Sequence, residues 1–323
     1  MKLRNLFIIT LGLFSLLSLA ACGQEQEINA TEGKLKVGVM MSDSGLGDQS
    51  FNDLAFEGLV RARDNLDVVF DYREIATTDT YEQGIRELVE QDNDLVIGIG
   101  YQLQEALETV AADQPDQQFL IIDSVSEMEN ITSVNFKVGQ ASYLAGMTAA
   151  MTTETDHIGF VGGKDVEIIN NFYNGFEEGA KAANPDIVID REYAGTYEDD
   201  QLGADIADGM IQNGADIIFA AAGFTGVGVL QEAQAQGVYG IGVDTDQYFQ
   251  AEKAVITSVM KNVDNAIYQL IERMAEGESL SGENLEYGLA EDWVGLAPLR
   301  VADFPDNLSD QLDAAREELA GES

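Results

Sequence analysis

Two α/β lobes in series, each a largely parallel sheet with helices on both faces, are the architecture this sequence predicts. Short runs rich in Val and Ile alternate with amphipathic stretches, and that repeated strand-then-helix pattern is the signature of a parallel sheet covered on both sides. The rhythm then restarts midway along the chain. Size agrees: once a leader and tether are set aside, roughly 300 residues remain, enough for two modest domains.

Taken in order, LKVGVMM, DVVFDYREI, NDLVIGIG and QFLIIDS read as the strands of the first unit, bounded by turn residues. FNDLAFEGLVRARDN, TYEQGIRELVEQ and LQEALETVAAD read as the helices between them. In the second unit the strands are HIGFVGG, DIVIDREYAG, ADIIFAAAG and YGIGVDTD. Its helices are IINNFYNGFEEGAKAAN, DDQLGADIADGMIQNG and VGVLQEAQAQG. A last strand and helix follow, VITSVM and NVDNAIYQLIERMAEG, and DQLDAAREELAGES closes the chain as an acidic helix.

The first segment stands apart from this pattern. Lys2 and Arg4 precede FIITLGLFSLLSLA, an apolar core too short to span a bilayer comfortably. It ends in Leu19-Ala20-Ala21-Cys22-Gly23, which resembles a bacterial lipobox. Residues 1–21 are therefore expected to be a lipoprotein signal peptide, Cys22 the lipidated N-terminus, and 22–34 a polar tether. An ordinary cleaved leader with an incidental Cys and an uncleaved anchor are the other readings. Cys22 is the only cysteine, so the folded body has no thiol for disulfides or nucleophilic chemistry.

Asp and Glu number 58 against 17 Lys and Arg, a net charge of −41. Such a surface repels nucleic acid, which excludes DNA or RNA as partners. Solubility in salty surroundings accounts for the acidity without any mechanism.

Ligands on open α/β sheets lie beyond the carboxyl ends of the strands. That rule selects Asp43, Asp123, Gly223, Asp244, Asp246 and Lys261. The loop SDSGLGDQSFND after the first strand has glycines, but Asp43 and Asp48 flank Gly45 and Gly47 and no base lies within it. Carboxylates repel a phosphate and accept strongly from hydroxyl and N–H donors, so the loop expects a polar, uncharged guest. Phe51 is either a core aromatic or a ring that stacks on a flat ligand, and Phe172 occupies a comparable place in the second unit. Asp123 could cap its own turn or accept from ring N–H groups. Asp244 and Lys261 could form a structural ion pair or share the hydroxyls of a sugar. Gly223 is either a turn or a point of close backbone approach.

The segments VGVMMSDSGLGDQSFND, SYLAGMTAAM, HIGFVGGKDVEIINNFYNGFEEGAKAANP, ADIIFAAAGFTGVGVL, IGVDTDQ and VITSVMKNVDNAIY together resemble the basic membrane protein family, substrate-binding lipoproteins of ABC importers that include purine nucleoside receptors. The resemblance runs from about Lys36 to Arg300. It implies a type I periplasmic-binding-protein fold of two Rossmann-like lobes around a hinge cleft. Residues 35–138 with about 262–290 would form the N-terminal lobe, and 139–258 with about 291–320 the C-terminal one. It further implies that Asp43 and Asn52 contact a nucleoside, Phe51 and Phe172 stack on its base, and Asp123 bonds the base edge. Gly223, Asp244 and Lys261 would hold the ribose. One departure is Gly223-Phe224-Thr225-Gly226, where the family pattern leads us to expect Gly-Gly-Thr-Gly.

The implied protein is a monomeric, lipid-anchored receptor on the extracytoplasmic face of the cell membrane. It would deliver a nucleoside to ABC permease subunits, with no cofactor, metal or catalysis. Another small ligand, such as a sugar or a signalling molecule, is the alternative within the same fold. A nucleoside hydrolase is the enzymatic rival, suggested by the acids of Asp244-Thr245-Asp246. Against it, the sole histidine, His157, sits at a strand start, and no Gly-x-Ser-x-Gly elbow or Cys/His zinc spacing occurs.

Overall fold

The structure is a computed structural model describing residues 31–280 and 282–321. The expected signal peptide, Cys22 and most of the tether lie outside these residues. Among the described residues no helix is long and apolar enough to cross a membrane.

The first sheet contains β1 (Leu35–Met40), β2 (Val68–Arg73), β3 (Leu95–Ile99), β4 (Gln118–Ile122), β5 (Ile131–Phe136) and β11 (Asn284–Tyr287), in the order β11-β5-β4-β3-β1-β2. The second contains β6 (His157–Gly162), β7 (Val188–Tyr193), β8 (Ile217–Ala221), β9 (Tyr239–Asp244), β10 (Val255–Lys261) and β12 (Val294–Leu296), in the order β12-β10-β9-β8-β6-β7. The two orders are the same pattern repeated. All pairings are parallel except β10 with β12. The central strands β3 and β8 are buried at every position, as strands covered on both faces must be. This is the type I periplasmic-binding-protein fold.

The helices fall where amphipathic spacing predicts: α1 (Phe51–Asn65), α2 (Tyr81–Glu90) and α3 (Gln104–Asp113) in the first lobe. The second carries α5 (Glu167–Ala183), α6 (Asp200–Asn213) and α7 (Gly223–Gln236); α4 (Val138–Thr152) precedes them and is not predicted from spacing. Thr80 caps α2 by accepting from the Gln83 N–H, and Asp199 caps α6 by accepting from Leu202. Helix α8 (Val263–Ala275) returns to pack on α1, and α9 (Leu308–Ala320) packs on α4. The chain thus passes between the sheets after β5, after β10 and after β11.

Helices α4 and α5 cross with their backbones almost in contact. A methyl at Gly146 would sit 2.0 Å from the Phe176 carbonyl oxygen, and one at Gly179 would sit 1.9 Å from that of Tyr143. Only hydrogen fits at these points. Helix α5 carries Phe172, so this crossing fixes an aromatic at the cleft relative to the chain's first passage between lobes.

Candidate functional site

Between the two sets of strand ends lies a cleft with about 580 Å³ of empty space, its open mouth included. The first lobe lines it with Ser42, Phe51, Asn52, Gly100, Tyr101 and Asp123. The second contributes Ile168, Phe172, Tyr197, Gly223, Asp244 and Lys261.

The loop after β1 is largely self-satisfied. Asp48 accepts from the N–H groups of Ser50 (3.0 Å), Asn52 (2.9 Å) and Asp53 (3.2 Å), and from the Asn52 amide (2.8 Å). It thereby serves the orphan donors at the start of α1. Burial pushes the Asp48 carboxyl above its ordinary pKa, and these bonds only partly offset that. Asn52 Oδ1 in turn accepts from Ser42 N (3.0 Å) and Oγ (3.1 Å). Asn52 lines the cleft, yet its amide is occupied holding the loop's shape.

Asp43, expected at the ligand, is not among the cleft-lining residues. One of its oxygens accepts from the Tyr81 hydroxyl, and the other pairs with Lys164 of the opposite lobe at 2.7 Å. Burial alone would raise its pKa, but the bonds from Lys164 and Tyr81 outweigh burial and hold it below the ordinary value. Asp246 is likewise diverted, bound by both Arg300 nitrogens at 2.9 and 2.8 Å. The two acids of Asp244-Thr245-Asp246 therefore do not converge. Phe224 is partly buried and does not line the cleft.

The remaining strand-end residues meet. Lys261, at the end of β10 and 2% exposed, donates to Asp123 Oδ2 at 2.5 Å, stands 4.0 Å from Asp244, and lies 4.3 Å from the Phe51 ring centroid. Asp123 and Lys261 belong to opposite sheets, so this is a bridge between lobes. A second bridge is the Ser50 hydroxyl donating to Asp244 Oδ2 at 2.6 Å. Asp123, Gly223 and Asp244 all have left-handed backbone, with φ of 62°, 56° and 63°. Asp tolerates that region better than most side chains do. Burial pushes the Asp123 carboxyl above its ordinary pKa; Lys261 pulls it down and Asp244 adds to the rise. Two acids against one base leave surplus negative charge, and Asp123 Oδ1 is buried without a hydrogen-bond partner.

Asp123 and Lys261 were expected at opposite ends of a ligand, the base edge and the ribose. The structure instead joins them in one cluster. Phe51 and Phe172 do line opposite walls, although Phe172 is only 2% exposed and packs edge-on against Phe219 at 6.2 Å. Tyr101 and Tyr197 were missed by sequence reasoning. Tyr101 lies two residues past β3, so the strand-end rule applied to that strand would have found it.

A family model described as ABC transporter substrate-binding protein PnrA-like, Bmp, matches residues 35–321. The chain belongs to the Bmp family. Bmp proteins are substrate-binding components of ABC transporters rather than a class of enzymes. Among relatives, the chain is 35% identical to the CD4+ T-cell-stimulating antigen of Listeria monocytogenes, over 93% of this chain and 90% of that protein. It is 32% identical to the ABC transporter nucleoside-binding protein BmpA of Lactococcus lactis, over 92% of each. A solved ABC transporter solute-binding protein from Aeropyrum pernix superposes with a TM-score of 0.77 at 28% identity, covering 88% of this Bmp-family chain and 86% of the other.

Proposed function

We propose that this Bmp-family protein captures a neutral nucleoside, purine in preference to pyrimidine, and hands it unaltered to a membrane permease. The observation carrying this reading is Asp123: a buried, ionisable acceptor with one oxygen unpartnered, beside Lys261 and Asp244, in a cleft with Phe51 on one wall and Phe172 on the other. Aromatic walls suit a planar base, and stacking contributes about 1–3 kcal/mol per base. Acceptors beside one ammonium suit sugar hydroxyls and ring N–H groups, while the surplus negative charge disfavours a phosphate. Contacts from both lobes give the ligand a higher affinity for the closed form, so binding stabilises closure.

The similarity to a nucleoside-binding relative supports the same reading. Lipidation at Cys22 would keep the receptor on the extracytoplasmic face beside its permease; the several acyl chains of a lipoprotein anchor stably where one would not. We take the receptor to act as a monomer.

Thermal-shift titration of the soluble protein against nucleosides, free bases, ribose and nucleotides tests the proposal. Ligand at a hundred times Kd should stabilise by about 2.7 kcal/mol. Inosine, guanosine or adenosine should raise Tm, with little response to AMP or GMP. A larger shift with AMP than with adenosine would contradict it, and a shift with ribose alone would favour a sugar receptor. Release of free hypoxanthine from inosine would establish an enzyme instead.

A further inference from the structure

Next to the cleft lies an outer chamber with about 870 Å³ of empty space, its open mouth included. The first lobe walls it with Gln104, Ser124, Val125 and Asn135, and the second with Glu167 and Asn171. Tyr101, Asp123 and Ile168 line both spaces, so the two adjoin across that row of side chains. Asp123 stands at the divide with Oδ2 committed to Lys261 and Oδ1 unpartnered. Whatever edge of a ligand meets Asp123 therefore has the chamber beyond it.

The chamber's first-lobe wall is preformed by its own bonds. Ser124 Oγ donates to Gln104 Oε1 at 2.5 Å, Gln104 Nε2 donates to the Val125 carbonyl at 2.7 Å, and Asn135 Nδ2 donates to the Ser124 carbonyl at 3.2 Å. Val125, 45% exposed, and Ile168 add apolar surface. Amides, a hydroxyl and aliphatic groups suit a neutral extension. The carboxylates of Asp123 and Glu167 welcome an amine and repel an anion.

We propose that this chamber is a subsite for a substituent on the bound ligand, so that the protein takes nucleosides bearing a neutral or amine-containing extension as well as the unmodified ones. This rests on the nucleoside reading above. It adds that the edge facing Asp123 is open to elaboration rather than closed off, so selection is by charge and not by size.

The test is calorimetry with adenosine and guanosine, their N6- and N2-benzyl and aminoethyl derivatives, their 5′-deoxy-5′-methylthio derivatives, and AMP. Base and 5′ series are both needed because either end could face Asp123. At least one extended series should bind within about threefold of its parent, while AMP binds more than about tenfold more weakly. Val125→Trp from one lobe and Asn171→Trp from the other should each weaken that extended series about tenfold or more and leave the parent unchanged. If the parents bind and every extended analogue is refused, the subsite is wrong and the nucleoside reading stands. Trp variants that weaken parent and analogue alike would also overturn the subsite. If neither parent nor analogue binds, both proposals fall.

Discussion

At the scale of single residues, the decisive question is whether a polar atom is already occupied. Asp48, Asn52 and Asp123 are all polar residues near the cleft, but only Asp123 keeps an unpartnered oxygen. Asp123→Asn retains a side chain that tolerates left-handed backbone but also gives up the charge paired with buried Lys261, so a urea midpoint measured alongside separates loss of stability from loss of ligand. Losing a charged acceptor should cost about 1.5–3 kcal/mol, roughly tenfold to 150-fold in Kd by calorimetry. Because the Asp123 pKa is raised, the carboxyl protonates at a higher pH than an ordinary one. Nucleoside affinity of the wild type should accordingly fall on acidification while other carboxylates are still charged, and Asp123→Asn should remove that step. A pH profile identical in both proteins would exclude Asp123 from the site. The rings separate differently. On the proposed nucleoside reading, Phe51→Ala and Phe172→Ala should each weaken ligand binding by about 1–3 kcal/mol. Only Phe172→Ala, which empties a core contact with Phe219, should also cost about 3–5 kcal/mol in urea unfolding. The strand-end rule made Asp123, Gly223, Asp244 and Lys261 legible in the sequence. It did not show that Asp43 and Asn52 spend their oxygens on neighbours, because those partners lie in a distant helix, in the other lobe and in the loop's folded geometry.

At the scale of elements, strands and amphipathic helices were read nearly to their ends; α1 is the segment predicted from its spacing. What escaped was α4, β5, β11 and β12. Helix α4 is buried on nearly every side, from Val138 through Ala150, so it has no polar face and its sequence shows no helical period. β11 and β12 are edge strands of four and three residues, too short for alternation to register. The close crossing of α4 with α5 makes its own prediction. Gly179→Ala should lower stability by about 1–3 kcal/mol through overpacking, read as a lower urea midpoint. Gly209→Ala on α6, where an added methyl meets open space, should instead stabilise by about 0.5–1 kcal/mol. Equal effects from the two would refute the packing argument.

At the scale of the molecule, four polar contacts run directly from one lobe to the other. Lys164 pairs with Asp43, Lys261 with Asp123, Ser50 with Asp244, and Gln247 donates to the Gln49 carbonyl at 3.2 Å. The first is partly exposed and should weaken with salt. Asp43 has a lowered pKa, so its contribution is present above the unfolded value and lost as pH falls through the lower folded one. Burial works against the charge on Lys164, but pairing with Asp43 raises its pKa overall, so its share is lost only as pH climbs through that raised value. Lys164→Met should shift the free protein toward an open form, seen as a larger radius of gyration in solution scattering, and saturating nucleoside should reverse it. An unchanged radius would show that this pair does not hold the lobes together.

The repeated passage of the backbone from one sheet to the other has a consequence for how the protein is made. α8 and β11 complete the first lobe but lie roughly 130 and 150 residues beyond β5. That lobe cannot finish while the ribosome or the export machinery still holds residues 263–287. Neither half can be excised as one contiguous gene fragment, and neither sheet is complete until its last strand, β11 or β12, has emerged.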